Sequence, residues 1–316
     1  MKVILVTADP TISPIQISRL SELVSSTVKV LNRNKINSQA TITLLKDIDI
    51  LVGGSSGFGY LNNDILEKLP NLKMISILGV GTDWIDLKSA KRLNIVISNA
   101  KGANAESVAE HIWGIILGLS KKIVEADRNV SLKGEYKFIN YLGNEVYGKT
   151  LGIIGLGEIG KRVARIAKGF NMQIIGSNKG KEKVDGVELV DLVEIYKKSD
   201  IIAICVPLTN ETKGMVSNSE IKIMKKGVLI TSTSREDIVD QSAVIEGLKS
   251  GNIGGYGFDA DIMRKIKKNS EFHKFPNVII TPHTAFYTKE ADSKTYDVCI
   301  DNVEAYLKGK PINVVN

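Results

Sequence analysis

The sequence predicts an α/β fold built as two doubly wound parallel-sheet domains. Three observations predict it. Short, apolar, β-rich runs alternate with stretches of helical spacing. The alternation runs twice, restarting after a polar connection at 131–148. The second series opens on a glycine-rich strand-to-helix turn. At 316 residues the chain has room for about two domains of ordinary size.

In the first series, "VILVT" (3–7), "DILVGG" (49–54), "KMISILG" (73–79) and "NIVIS" (94–98) read as strands. "NDILEKLPNL" has helical spacing, with Pro70 closing it. The opening "MKVILVTADPT" reads as a first strand rather than a leader, since no small-residue cleavage site follows. A long apolar helix is expected over 105–130, buried on most sides against a second domain or subunit. In the second series, "TLGIIGLGEIGKRVARIAKGF" gives strand, turn and helix. "MQIIGS", "DIIAICVPL" (200–208), "GVLITST" (227–233), "GGYGFDA" (254–260) and "NVIITPH" (277–283) follow as strands. A last helix over 289–308 stops at Gly309 and Pro311.

Composition narrows the function classes. The longest apolar runs fall far short of the roughly 18 residues of a membrane span. Cys205 and Cys299 lie far apart in apolar patterns, which suits buried thiols in a reducing compartment, not a disulfide or a metal site. A cytoplasmic protein without membrane or metal partner is expected. The net charge of +7 comes from scattered lysines with no dense, aromatic-interleaved run. That argues against a nucleic-acid partner, while a positive field suits a small anionic substrate.

"GLGEIG" is a G-x-G-x-x-G placed between a strand and a helix, the context that dinucleotide binding needs. Gly155 makes the tight turn, Gly157 lets a pyrophosphate approach the backbone, and Gly160 lets helix and strand pack closely. The helix N-terminus then faces the phosphates. Cofactor contacts are expected from Gly155, Gly157, Glu158, Ile159 and Gly160. About 20 residues further on, an acid would bind both ribose hydroxyls and select NAD. Asn178 stands there instead, within "IIGSNKGKEK". Ser177, Asn178, Lys179 and Lys181 can hydrogen-bond or neutralise a 2′-phosphate. The expected cofactor is NAD or NADP, with a lean to tolerance of NADP.

At this point the chain resembles the D-isomer-specific 2-hydroxyacid dehydrogenases over most of its length. "LGVGTDWIDL" (78–87) is similar to the family's substrate-domain glycine loop, and "ESVAEH" (106–111) to the start of its dimer helix. "VPLTNETKGMV" (206–216) resembles its nucleotide-contacting loop, which implies cofactor contacts from Val206, Pro207 and Thr212. "TSTSREDIVD" (231–240) resembles the stretch with its catalytic arginine, with Glu236 in place of the usual glycine. "TPHTAFYT" (281–288) resembles the stretch with its catalytic histidine.

The resemblance implies a Rossmann-type cofactor domain over 99–283. It also implies a flavodoxin-like substrate domain formed by 1–98 and 284–316, with the active site in the cleft between them and a homodimer joined through the 105–130 helix region. It implies roles too. Arg235 would bind the carboxylate and carbonyl of a 2-oxo acid, and His283 would exchange a proton with the carbonyl oxygen. Amides at Leu78, Gly79 and Val80 would hold the carboxylate. Asp259, with Thr233, Ser234 and Arg235, would line the nicotinamide side. His111 and His273 read as structural. Side-chain preference would rest on the loops around Ser55 to Tyr60 and Trp84.

One position departs from the family. Its catalytic glutamate, which pairs with the histidine, falls at Arg264. A cation there would lower the pKa of His283. Asp261 or Glu271 could supply the carboxylate instead. Alternatively, the reaction needs no such acid, as in the related formate dehydrogenases, or the chain is a catalytically silent dinucleotide-binding regulator.

Overall fold

The structure is a computed structural model that describes all residues except 8–10, 33–37, 55–57, 181 and 260–269. The chain divides into two compact units, Met1–Asn104 with Tyr287–Asn316, and Ala105–Phe286. The boundaries expected from sequence, after 98 and after 283, fall a few residues earlier.

The first unit holds a parallel sheet of β1 (Val3–Thr7), β2 (Lys29–Asn32), β3 (Ile50–Gly53), β4 (Met74–Ile77) and β5 (Val96–Asn99). Its order is β2-β1-β3-β4-β5, the flavodoxin-like arrangement. Helices α1 (Pro14–Val24), α2 (Ser38–Leu45), α3 (Asn63–Leu66) and α4 (Leu87–Arg92) connect the strands. Strand residues alternate between two cores. Ile4, Val6, Leu51, Ile75 and Ile97 pack with Phe58, Trp84 and Ile85 on one face. Val3, Leu5, Ile50, Val52 and Met74 pack on the other with Tyr296, Cys299, Ile300 and Val303 of the last helix, Lys289–Leu307. Burial on both faces is why these strands read as unbroken apolar runs.

The second unit begins with α5 (Ala105–Ser120) and α6 (Ile123–Lys133). A single long helix is therefore not what forms. The chain breaks at Lys122, which takes a left-handed φ of 55°. The apolar character ends there as well: α5 buries Val108, Ala109, Ile112, Trp113 and Ile116, whereas α6 buries no residue. The sheet contains β6 (Thr150–Ile154), β7 (Gln173–Ser177), β8 (Glu188–Leu189), β9 (Ile201–Ile204), β10 (Val228–Ser232), β11 (Ile253–Asp259) and β12 (Val278–Thr281). Helices α7 (Glu158–Gly169), α8 (Leu192–Lys198), α9 (Asn218–Ile223) and α10 (Gln241–Ser250) cover it. Every strand pairing is parallel, in the order β12-β11-β10-β9-β6-β7-β8. The order reverses at β6, which neighbours both β7 and β9. In open α/β sheets, ligands bind outside the carboxyl ends of strands at such a reversal.

Candidate active site

The turn after β6 lies at that reversal, and its three glycines answer three different demands. Gly155 has φ +97°, and a Cβ on it would stand 2.8 Å from the Cys205 carbonyl oxygen. A Cβ on Gly160 would stand 2.0 Å from the Gly155 carbonyl oxygen, so the first turn of α7 seats directly on the loop. A Cβ on Gly157 would meet no protein atom within 4 Å. Packing therefore does not require this glycine. Its bare backbone, at the N-cap of α7, leaves the helix N-terminus open to an anion. This is the donor set that a dinucleotide pyrophosphate fits. Glu158 follows in the first turn of α7, but its carboxylate takes Arg162 at 2.9 Å. Ile159 packs against the core between β6 and α5.

At the end of β7, the Ser177 carbonyl accepts from the Gly155 amide at 2.9 Å, and Asn178 is exposed. Lys179 forms an ion pair with Glu211 of the loop that follows β9. Lys181 lies outside the described residues. In that loop Thr212 is a staple: its hydroxyl donates to the Pro207 carbonyl at 2.6 Å and accepts from the Thr209 amide at 2.8 Å. Val206 packs on the sheet core. Cys205 beside it is half-buried, not fully buried as expected from sequence, and desolvation pushes its thiol pKa up to about 12.

Thr233, Ser234 and Arg235 continue from the carboxyl end of β10 and are half-buried. The Ser234 hydroxyl donates to the Ile204 carbonyl at 3.3 Å, and the Arg235 guanidinium to the Ser234 carbonyl at 3.2 Å. His283 follows the carboxyl end of β12. One strand, β11, separates β10 from β12, so the two strand ends stand about 10 Å apart at ordinary strand spacing.

Asp259 ends the intervening strand and is 5% exposed. Its carboxylate accepts from the Thr281 hydroxyl at 2.5 Å, the Thr284 amide at 2.9 Å and the Ala285 amide at 2.9 Å. These donors flank His283 on both sides. His283 itself holds a left-handed φ of 59°, and its ring meets Phe286 edge-on at 5.6 Å. Such a backbone angle in a non-glycine residue persists only when its surroundings enforce it. Nδ1 of His283 is buried and has no hydrogen-bond partner among the described residues. Glu271 is drawn to Lys249 at 2.7 Å, which also holds its carboxyl below the usual range. Arg264 and Asp261 lie outside the described residues. His273 is exposed.

Helix α5 reaches the same turn through Ser107, which the sequence reading passed over, and through His111, which it took as structural. The Ser107 hydroxyl donates to the Ala285 carbonyl at 2.7 Å, and His111 Nε2 lies 2.9 Å from the Thr281 hydroxyl. The signal was present in the sequence: Ser107 and His111 are polar residues spaced by four, and so share one face of the helix.

In the first unit, the loop after β4 carries Leu78, Gly79 and Val80. The Leu78 amide donates to the Gly53 carbonyl at 2.9 Å and the Gly79 amide to the Ile77 carbonyl at 2.8 Å. Gly79 has φ +144°, a conformation that favours glycine. Val80 is exposed, and no partner for its amide occurs among the described residues. Trp84 is 5% exposed and lies parallel to Phe58 inside this unit's core. Ser55 lies outside the described residues, and Tyr60 is exposed.

No group of three or more His, Cys, Asp or Glu side chains among the described residues could hold a metal ion, and no described helix is long and apolar enough to cross a membrane. A parallel sheet with its glycine turn at the strand-order reversal, and an arginine and a histidine on the same carboxyl edge, define a dinucleotide-binding α/β protein. The chain belongs to the D-isomer specific 2-hydroxyacid dehydrogenase family, whose NAD-binding-domain model matches residues 113–285. It is 36% identical over 264 residues to a glyoxylate reductase of Aeropyrum pernix, covering 80% of this chain and 79% of that one. An acyclic imino acid reductase solved with NADPH and D-Arg superposes with a TM-score of 0.90 at 30% identity, over 100% of both chains. An NAD-dependent formate dehydrogenase from Staphylococcus aureus, solved with NAD, superposes at 0.85 with 26% identity, over 100% of this chain and 99% of that one.

Proposed function

We propose that this protein moves a hydride between a nicotinamide dinucleotide and carbon 2 of a small 2-oxo or D-2-hydroxy acid. The observation that carries this reading is the sharing of one carboxyl edge of the sheet: Arg235 and His283 stand two strands apart, on the edge that also carries the glycine turn after β6. The nicotinamide supplies or accepts the hydride when bound. Arg235 takes the carboxylate and carbonyl oxygens of the acid in a planar fork that lysine cannot reproduce. His283 donates a proton to the carbonyl oxygen as the alcohol forms and removes it in the reverse direction. In the first unit, the Leu78 and Gly79 amides are engaged by the Gly53 and Ile77 carbonyls, which leaves the Val80 amide as the donor proposed there for an anion. Asp259 accepts from Thr281, Thr284 and Ala285 and so holds the turn that carries His283 in place.

Both NAD and NADP fit. No carboxylate stands at Asn178 to repel a 2′-phosphate, and Lys179 offers a cation already shared with Glu211. Self-association is the other proposal. Leu132, Tyr136, Phe138, Ile139 and Leu142 are each more than 70% exposed, in and just after α6. Exposed apolar surface of that extent marks an interface, and a second copy of the chain is the partner proposed. The contact then centres on α6 and the following segment, because α5 spends its apolar face on the core. Two free cysteines suit a reducing compartment such as the cytoplasm.

The test is direct. The protein is mixed with NADH or NADPH and with glyoxylate, pyruvate or hydroxypyruvate, and absorbance of the reduced nicotinamide is followed. Turnover on the order of 1–10³ s⁻¹ with one of these acids is expected. Calorimetric binding of nucleotide with no turnover on any 2-oxo acid would favour a dinucleotide-binding regulator instead.

A further inference from the structure

Asp259, Thr281 and His111 form a chain whose direction can be deduced. Thr281 lies beside Asp259 in the β11–β12 register, so both side chains face α5. The Thr281 hydroxyl has one proton. It stands 2.5 Å from Asp259 Oδ1, and an ionised carboxylate can only accept. That proton is therefore committed, and the Thr281 oxygen must act as acceptor toward His111 Nε2, 2.9 Å away. It follows that His111 carries its proton on Nε2. His111 Nε2 is 4.0 Å from Asp259 Oδ1, so it acts on the carboxylate through Thr281. The carboxylate in turn accepts the amides of Thr284 and Ala285, and Ser107, one helical turn from His111, holds the Ala285 carbonyl. The residue enclosed by these contacts is His283, at its left-handed φ of 59°.

We propose that His111 is a positioning residue for His283: its Nε2–H orients the Thr281 hydroxyl onto Asp259, and the Asp259 carboxylate then fixes the turn that presents the His283 ring. The proposal rests on the reading of His283 as the proton donor, but its structural half can be tested without turnover. In a packed edge of the sheet, the alternative for an unpinned turn is to relax toward ordinary backbone angles and swing the imidazole away from the reacting oxygen. Small misplacements of a catalytic group carry large rate costs.

The experiment uses the full chain labelled with ¹⁵N-histidine, which gives only three imidazoles to assign. Two removals are compared, His111→Leu and the nearly isosteric Thr281→Val, together with His111→Gln, which restores an N–H donor at that depth. The wild-type spectrum is expected to show His111 as the Nε2–H tautomer. Both removals are expected to shift the His283 ring signals. They should also lower kcat on the order of tenfold, in line with the loss of one hydrogen bond in a chain to a carboxylate, while KM for NADH stays within about twofold. His111→Gln is expected to recover much of the kcat. An Nδ1–H tautomer at His111, or an unchanged His283 ring in both folded removals, overturns the proposal. His283→Ala is the control for the underlying reading. If it turns over like wild type, the assignment of His283 as acid is wrong, whereas loss of activity there with wild-type kcat in both removals rejects only the role of His111.

Discussion

Gly160 sits so close to Gly155 that a Cβ on the first would stand 2.0 Å from the carbonyl oxygen of the second. The blocking atom is backbone, so no side-chain movement relieves it. Gly160→Ala is expected to push α7 off the turn. Overpacking of this kind costs about 1–3 kcal/mol. The variant should lose at least tenfold in dinucleotide affinity by calorimetry and melt several degrees lower. Wild-type affinity would mean that the turn does not grip the pyrophosphate.

Arg235→Lys keeps the charge but removes the fork. If Arg235 binds the 2-oxo acid bidentately, kcat/KM should fall by about a hundredfold or more, with nucleotide affinity little changed. A drop under threefold would assign the side chain to structure alone.

The ribose end makes a prediction about cofactor choice. Glu211 neutralises Lys179, the cation nearest Asn178 in the chain. Glu211→Gln should free that charge and lower KM for NADPH severalfold while leaving KM for NADH alone. Lys179→Ala should do the opposite. Because Lys179 is 80% exposed at its side chain, the effect should fade as salt rises past about 0.15 M. A change of equal size with both cofactors would remove Lys179 from the 2′ position.

Acid should weaken the second unit through His111. Burial holds its pKa below the ordinary 6.5, against the pull of Asp259. The unfolded chain then takes up a proton at a higher pH than the folded one, so stability declines as pH falls through 6.5 and is complete above it. Melting curves between pH 8 and 5.5 should show a shallower decline in His111→Gln than in wild type. Equal slopes would assign the acid sensitivity elsewhere.

Phe138→Asp with Leu142→Asp introduces charge where the exposed apolar surface is greatest, at 85% and 84% exposure. Light scattering should report a smaller assembly than wild type at micromolar concentration. An unchanged mass would move the self-contact away from this segment.

Much of this architecture was legible because central strands are buried on both faces and so appear as unbroken apolar runs. Two of the four edge strands were not: β2 is "KVLN" and β8 only "EL", and both lack that signature. The other two edges, β5 and β12, are apolar enough to be read. The break at Lys122 was invisible for another reason: a left-handed turn without glycine leaves no compositional mark. The glycine turn was readable because its three glycines fall within six residues, between a strand and a helix that the sequence also marks. The bracing of His283 was not. Asp259 meets Thr281, Thr284 and Ala285 across 22 to 26 residues, and only the β11–β12 register brings them together.

The path of the chain has a consequence during synthesis. The second unit is one continuous segment, Ala105–Phe286, but the first is completed only by Tyr287–Asn316. The strands of the first unit emerge from the ribosome early, with one face of the sheet still lacking Tyr296, Cys299, Ile300 and Val303. At about 5–20 residues per second, roughly ten seconds or more pass before the last helix arrives to cover it. The unit that starts first therefore finishes last, and its uncovered face is where a chaperone has the longest opportunity to bind.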